Sequence, residues 1–133
     1  MKTAKIIIHQ PFINKLIGRE LNLTLHENAN LIDALMQVDE TIKSKGNFPV
    51  PDYKSLVHMV YNPIENRFYK QVAITAYKQS GEMLNVRENP EKEILDGITI
   101  ILMPAGGCIS EWEEAINHEE FLEALKHLRS HAC

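Results

Sequence analysis

Cysteine is scarce in this chain of 133 residues, and long apolar runs are missing near its N-terminus. The two cysteines, Cys108 and Cys133, both lie in the last fifth of the chain, so no disulfide framework can hold the fold. The first apolar run, Ile6–Ile8, is too short for a signal peptide or a membrane span. A cytoplasmic protein with no membrane partner is therefore expected.

Clusters of basic residues are also missing. No run of lysine or arginine is longer than two, and the formal net charge is −4. Because nucleic-acid affinity comes mainly from neutralising phosphates, a nucleic-acid partner is not expected. The chain also shows no phosphate-binding loop, dinucleotide-binding glycine pattern or nucleophilic triad. It is therefore expected to be neither an independent enzyme nor a protein with a bound cofactor.

The residues that are present predict a single globular domain that begins with two strands. The chain is 44% hydrophobic and 24% charged, which is typical of proteins that fold. Residues Lys2–Ile8 predict a first strand, and the alternation over Leu21–Leu25 predicts a half-buried second one. Asn14–Gly18 is interpreted as the turn between them, so the two strands are expected to form a hairpin.

An amphipathic helix is predicted next. Asn28 or Asn30 can serve as its N-cap, and Asp33 lies in its first turn, where a carboxylate favours the helix dipole. The helix should end near Gly46. Its apolar stripe recurs at helical spacing and consists of Leu31, Ala34, Leu35, Val38 and Ile42.

The segments that follow predict more strands. Residues Ser55–Tyr61 and Arg67–Tyr77 are rich in β-branched and aromatic residues, with a turn at Asn62–Asn66 between them. The last strand is predicted over Ile98–Met103. Two hairpin strands, a crossing helix and further strands predict an α+β fold, a β-grasp or ubiquitin-like mixed sheet in which the last strand lies parallel to the first.

The last strand is apolar on both sides. If Ile98, Ile100 and Leu102 face the helix, then Thr99, Ile101 and Met103 face the other side of the sheet, where polar residues are usual. That second face is expected to be covered, either by the C-terminal tail or by another protein.

The C-terminal tail is predicted to be helical. Ser110–Glu113 has the form of a capping box, which indicates a short helical turn over residues 110–116. A longer helix is predicted over residues 118–129, and its stripe with Trp112 could cover the second sheet face. That stripe consists of Phe121, Leu122, Leu125 and Leu128. The domain organisation is therefore a β-grasp domain over residues 1–107 and a helical extension over residues 108–133.

Two stretches of the sequence carry a resemblance to a known family. They are the turn Leu95-Asp-Gly97 and the segment Ile100-Ile-Leu-Met-Pro-Ala-Gly-Gly107. With the strand-strand-helix opening, they resemble the ubiquitin-like sulfur carriers of the MoaD/ThiS family over roughly residues 1–107. Two features depart from that pattern. Ile98 replaces the second acidic residue of the turn motif, and the glycines are followed by Cys108 and the tail.

The resemblance implies a protein substrate and not a catalyst. In such carriers the terminal glycine carboxylate is adenylated by an activating enzyme of the ubiquitin-activating type and then thiocarboxylated, for sulfur transfer in molybdopterin, thiamine or related biosynthesis. Gly107 would carry the thiocarboxylate, and Gly106 would be its clash-free neighbour. The peptide bond to Cys108 blocks this chemistry, so a processing protease is an expected partner, and a synthase large subunit is a further candidate partner. The implied partner surface consists of Ile101, Met103, Pro104 and Ala105.

Two other functions are open. In the first, the chain is a non-catalytic interaction module whose tail helix packs on the sheet and whose Gly106-Gly107 is only a turn. In the second, Cys108, Cys133 and the pair His127 and His131 respond to a metal or to redox state, because that pair has a spacing that can hold a metal. The same spacing is typical of solvated histidines at a helix end, so no metal site is assigned. Three other histidines are isolated in sequence and are interpreted as structural: His9, His26 and His58.

Overall fold

The computed structural model of the chain describes residues 1–104 and 116–131, with the backbone alone for residues 104 and 128–131. In this part of the chain the structure contains strands β1 to β7 and helices α1 to α4. In chain order they are β1 (Lys2–Ile8), α1 (Pro11–Ile17), β2 (Glu20–Leu25), α2 (Leu31–Lys45), α3 (Leu56–Val60), β3 (Tyr61–Asn62), β4 (Arg67–Phe68), β5 (Val72–Tyr77), β6 (Met83–Leu84), β7 (Ile98–Pro104) and α4 (His118–His131).

Five of these strands form one mixed sheet in the order β2-β1-β7-β5-β6. Strand β7 is central. It pairs parallel with β1, where Ile6 faces Ile100, and antiparallel with β5, where Ile74 faces Leu102. Strands β1 and β2 form the antiparallel pair that the sequence predicted. The sheet and the crossing helix α2 confirm the predicted α+β β-grasp fold.

The core lies between the sheet and α2. All five residues of the predicted α2 stripe are buried, and so are Ile98, Ile100 and Leu102 of β7, which confirms the predicted inward faces. Asn30 is the N-cap of α2. Its side-chain oxygen accepts from the Asp33 amide at 2.9 Å, and the Asp33 carboxylate accepts from the Asn30 amide at 3.0 Å. This reciprocal pair satisfies two backbone donors that the first turn of the helix leaves free.

The connection between β1 and β2 is a helix, so the prediction of a simple turn at Asn14–Gly18 was wrong. The Gln10 side chain accepts from the Ile13 amide at 2.9 Å, and Pro11 takes the first helical position, where its missing N–H costs no hydrogen bond. Helix α1 ends at Ile17 with Gly18 as its C-cap, and Ile13 is buried in the core.

The predicted strand over Ser55–Tyr61 was also wrong, because most of it is helix α3. The Ser55 hydroxyl accepts from the His58 amide at 3.0 Å. The Asp39 carboxylate of α2 accepts from the amides of Leu56 at 2.6 Å and Val57 at 3.1 Å. These contacts provide acceptors for the free backbone amides at the N-terminus of α3, and they override the strand preference of the segment.

The remaining predicted elements are confirmed with adjusted limits. The segment Arg67–Tyr77 contains two strands, β4 and β5, instead of one. Helix α4 confirms the predicted tail helix, but Leu122 is 49% exposed, so it does not belong to a buried stripe. Trp112 and most of the predicted turn at residues 110–116 lie outside the described residues. Within residues 1–104 and 116–131, no helix combines the length and apolarity needed to cross a bilayer.

Candidate functional site

The turn before β7 fixes the start of the central strand against β1. The Asp96 carboxylate accepts from the Thr3 amide at 2.7 Å, and the Gly97 amide donates to the Thr3 carbonyl at 2.8 Å. Gly97 has a φ of +77°, a backbone conformation that residues other than glycine rarely adopt. The Asp-Gly pair therefore sets the point at which β7 begins to pair with β1.

The other end of β7 is held from both sides. The His9 amide donates to the Leu102 carbonyl at 2.9 Å, and Pro104 is the register partner of Val72 in β5. Central strands of this kind are rigid because both edges are hydrogen-bonded. The sequence Ala105-Gly106-Gly107 follows directly after this anchored end.

Arg87 organises the chain beside that end. Its guanidinium donates to the carbonyls of Tyr69 at 2.8 Å and Val72 at 3.1 Å. These two bonds fix the loop between β4 and β5, and through Val72 they position the partner of Pro104. Sequence reasoning missed Arg87 because a single arginine in a polar stretch carries no signal of its carbonyl partners.

The second face of the sheet presents a small apolar surface near this end. Ile101 is half-buried, and Met103 is 45% exposed. The parallel register places Ile7 beside Ile101, so Ile7 belongs to the same surface although it was not predicted. Phe12 is 50% exposed on α1, which follows the same end of β1. Apolar side chains of three elements therefore lie at the sheet end from which the glycine pair follows.

The tail contacts the domain through the backbone of Ile116. The Ile116 amide donates to the Tyr69 hydroxyl at 3.1 Å, and the Nε2 of His58 lies 2.6 Å from the Ile116 carbonyl oxygen. The Nδ1 of His58 accepts from the Lys54 amide at 3.2 Å. Because Nδ1 is an acceptor, the ring proton is on Nε2, and His58 donates it to Ile116. His58 and Tyr69 are both buried.

The first turn of α4 packs against the same histidine. The rings of Phe121 and His118 both lie 5.1 Å from the ring of His58, measured between centroids. Burial lowers the pKa of His118, and the neighbouring His58 and Lys54 lower it further. Phe121 is thus packed on α3, whereas Trp112 and the Leu128 side chain, which the sequence assigned to the same covering stripe, lie outside the described residues. The sequence offered no sign of this contact because His58 and Phe121 are far apart in the chain.

Comparisons with known proteins place the fold. No family profile and no curated protein matches the sequence. Small archaeal modifier protein 1 from Haloferax volcanii is similar in structure, with a TM-score of 0.52 and 12% sequence identity over 80% of this chain and 100% of that chain. The chain has a ubiquitin-like fold.

Two further solved structures are similar to this ubiquitin-like chain. One is another structure of the Haloferax volcanii protein, with a TM-score of 0.49 and 14% identity over 79% of this chain and 99% of that chain. The other is described as molybdopterin converting factor, subunit 1, from Pyrococcus furiosus. It has a TM-score of 0.46 and 16% identity over 80% of this chain and 100% of that chain.

Several predicted site residues of this ubiquitin-like protein lie outside the described residues. They are Ala105, Gly106, Gly107, Cys108 and Cys133, so the carrier role and the processing site remain predictions. His127 is an exposed residue of α4, and His131 is described only by its backbone. Among the side chains that the structure describes, no three His, Cys, Asp or Glu residues are grouped so that they could hold a metal ion.

Proposed function

We propose that this chain is a sulfur-carrier-type protein. It would act as a protein substrate in sulfur transfer, in molybdopterin, thiamine or related biosynthesis. The observation that supports this function best is the position of β7. The central strand of a ubiquitin-like sheet is anchored through Pro104, and the glycine pair Gly106-Gly107 follows after one residue, Ala105, in the sequence.

The proposed chemistry takes place at the carboxylate of Gly107. Hydrolysis of the Gly107–Cys108 bond frees that carboxylate. An activating enzyme of the ubiquitin-activating type then joins it to the α-phosphate of ATP, and pyrophosphate leaves. Hydrosulfide then attacks the carbonyl carbon of this acyl-adenylate, the bond to AMP breaks, and the thiocarboxylate and AMP are the products. Two adjacent glycines suit a terminus that must enter a narrow active site because they have no side chains to clash there.

The proposed contact surface for the activating enzyme is the apolar surface formed by Ile7, Ile101 and Met103, which lies beside the anchored end of β7. Pro104 and Ala105 would extend it toward the glycine pair. Because Met103 is 45% exposed while Ile101 is half-buried, Met103 offers a partner the larger side-chain area. An apolar surface next to a reactive terminus would orient that terminus in the partner's active site.

The test of the proposed function is the intact mass of the protein isolated from its native cell. The carrier function predicts a species that ends at Gly107, or the same species made heavier by exchange of one oxygen for sulfur. Alkylation with a thiol reagent should modify the second species at its new C-terminus. If full-length chain alone is found in every growth condition, the carrier function is wrong.

A second candidate is an interaction module in which the tail stays attached to the domain. The observation in its favour is the contact of Ile116 and Phe121 with His58, which fixes the tail helix on α3. In this function the glycine pair is only a connection. The same mass measurement separates the two candidates, since only the carrier requires a species that ends at Gly107.

A further inference from the structure

The backbone of Ile116 is recognised by two buried side chains of the domain. Tyr69 accepts from its amide, and His58 donates to its carbonyl oxygen. Both polar groups of one peptide residue are thus satisfied by side chains that lie 47 and 58 residues away in the sequence. Loss of the tail would remove one hydrogen-bond partner from each of these two buried side chains, which is unfavourable.

The helix that follows adds apolar contacts to the same place. Phe121 is 1% exposed and Leu125 is 9% exposed, and both join the core cluster of the domain. Between them Leu122 is 49% exposed and takes no part. Fully burying an apolar side chain of this size stabilises a contact by about 1.5–3 kcal/mol. The tail is therefore held by directional hydrogen bonds and by buried apolar area together.

We propose that His58, Tyr69 and the surface of α3 around Phe121 form a retention site that binds residues 116–125 of this chain non-covalently. When the chain is opened between Gly107 and Cys108, the tail stays bound, and the product is a two-chain complex. The retention site goes beyond the proposed carrier function. Only the role of this site after natural cleavage rests on that function.

The position of the cut explains why the contacts persist. Eleven residues (116 − 104 − 1 = 11) connect Pro104 to Ile116, and the Gly107–Cys108 bond lies among them. None of the contacts of Ile116, Phe121 and Leu125 described above uses an atom of that bond. Cleavage removes the tether, which supplies an effective concentration in the mM range, but it leaves the binding surfaces unchanged.

The test uses the full chain with a protease recognition sequence inserted between Gly107 and Cys108. Complete cleavage is verified by mass. The only tryptophan of the chain, Trp112, belongs to the tail, so its fluorescence anisotropy reports whether the tail is bound. We expect the tail to co-elute with the domain in gel filtration at micromolar concentration, and the anisotropy to stay near that of the uncut chain.

Two matched pairs of variants identify the site. Leu125→Ala should weaken tail binding at least tenfold, whereas Leu122→Ala on the same helix should not. Tyr69→Phe removes the hydroxyl that accepts from Ile116, and it should weaken binding several-fold. Tyr61→Phe removes a buried hydroxyl whose partner is Asn66, and it should have no effect on the tail. Circular dichroism checks that each cut variant is folded. If Leu125→Ala fails to fold, the tyrosine pair decides.

The proposal is overturned if the native tail separates from the domain on cleavage, with the anisotropy of a free peptide. It is equally overturned if Leu125→Ala and Tyr69→Phe retain the tail as well as their controls do. Neither result bears on whether Gly107 is processed in the cell, which the intact mass decides on its own. If the cut tail is retained in vitro but no natural cut is found, the retention site stands and the carrier function is wrong.

Discussion

At the scale of single residues, Asp39 shows how one carboxylate joins two helices. It belongs to α2, yet it accepts from the first two amides of α3. Burial raises its pKa to about 6, while the two amide hydrogen bonds act in the opposite direction. The protein therefore holds a carboxyl group that gains and loses its proton in a mildly acidic range.

Asp39 predicts a dependence of stability on pH. Its pKa is higher in the folded chain than the ordinary 3.8, so its contribution to stability is fully present below pH ~4 and is lost as the pH rises through about 6. At ~1.4 kcal/mol for each tenfold change in proton affinity, the loss is about 3 kcal/mol. The side chain that Asp39→Asn introduces does not titrate. The unfolding free energy of the variant minus that of the native chain should therefore rise by this amount between pH 4 and pH 7. Urea unfolding at a series of pH values measures it, and a constant difference would contradict the assignment.

Met103 carries the prediction for the proposed partner surface. Met103→Glu places a charge in the apolar surface beside the glycine pair, and it should weaken binding to the cognate activating enzyme about tenfold, a cost of ~1.4 kcal/mol. Ile64→Glu is the matched control, because Ile64 is 62% exposed in the turn between β3 and β4. Surface plasmon resonance with the purified enzyme gives both affinities. Equal affinities for the two variants would remove Met103 from the surface.

At the scale of elements, the sequence predicted the strands and helices that depend on their own periodicity. Strands β1 and β7 and helix α2 have regular apolar patterns, and they were found where those patterns placed them. Helices α1 and α3 were missed because both are short and both depend on contacts from outside their own pattern, with Gln10 for one and Asp39 for the other. Helices of this length do not form without such contacts.

Helix α3 leads to a prediction because it carries His58 to the tail. Ser55→Ala removes the N-cap acceptor of α3 and should lower the unfolding free energy by about 1 kcal/mol. It should also speed hydrogen exchange of the amides of α4, since the Ile116 carbonyl depends on the position of His58. Ser44→Ala is the control, because its exposed hydroxyl donates to the Thr41 carbonyl within α2. Unchanged exchange in α4 would show that the tail does not depend on α3.

At the scale of the whole molecule, the tail is part of the packing of the domain. Deletion of residues 108–133 should leave a folded chain whose unfolding free energy is lower by at least about 3 kcal/mol, the usual cost of losing a buried phenylalanine. Among the described residues, this deletion exposes the surface around His58 and Tyr69. Urea unfolding followed by circular dichroism gives the difference, with Leu122→Ala in the full chain as a control that should remain near native stability. An unaltered midpoint in the deletion variant would mean that the contacts of Phe121 contribute nothing.

The site could be predicted only in part for a physical reason. The glycine pair and the Leu95-Asp-Gly97 turn are each made of consecutive residues, so both can be recognised directly in the sequence. The register that brings Ile7 beside Ile101, and the approach of Ile116 to Tyr69, are set by how distant segments pack. No local pattern records such distances, because each segment is compatible with many partners until the sheet is complete.

The central position of β7 also determines when the protein can complete its fold during synthesis. Strand β1 is made first, but its parallel partner is made more than 90 residues later, since Ala4 pairs with Ile98. Until β7 leaves the ribosome, the nascent hairpin of β1 and β2 has one unpaired edge with Ile6 and Ile8 along it, an edge that can pair with other chains. Closure of such distant contacts is slow. A nascent chain that pauses before Ile98 should therefore need the protection of a chaperone.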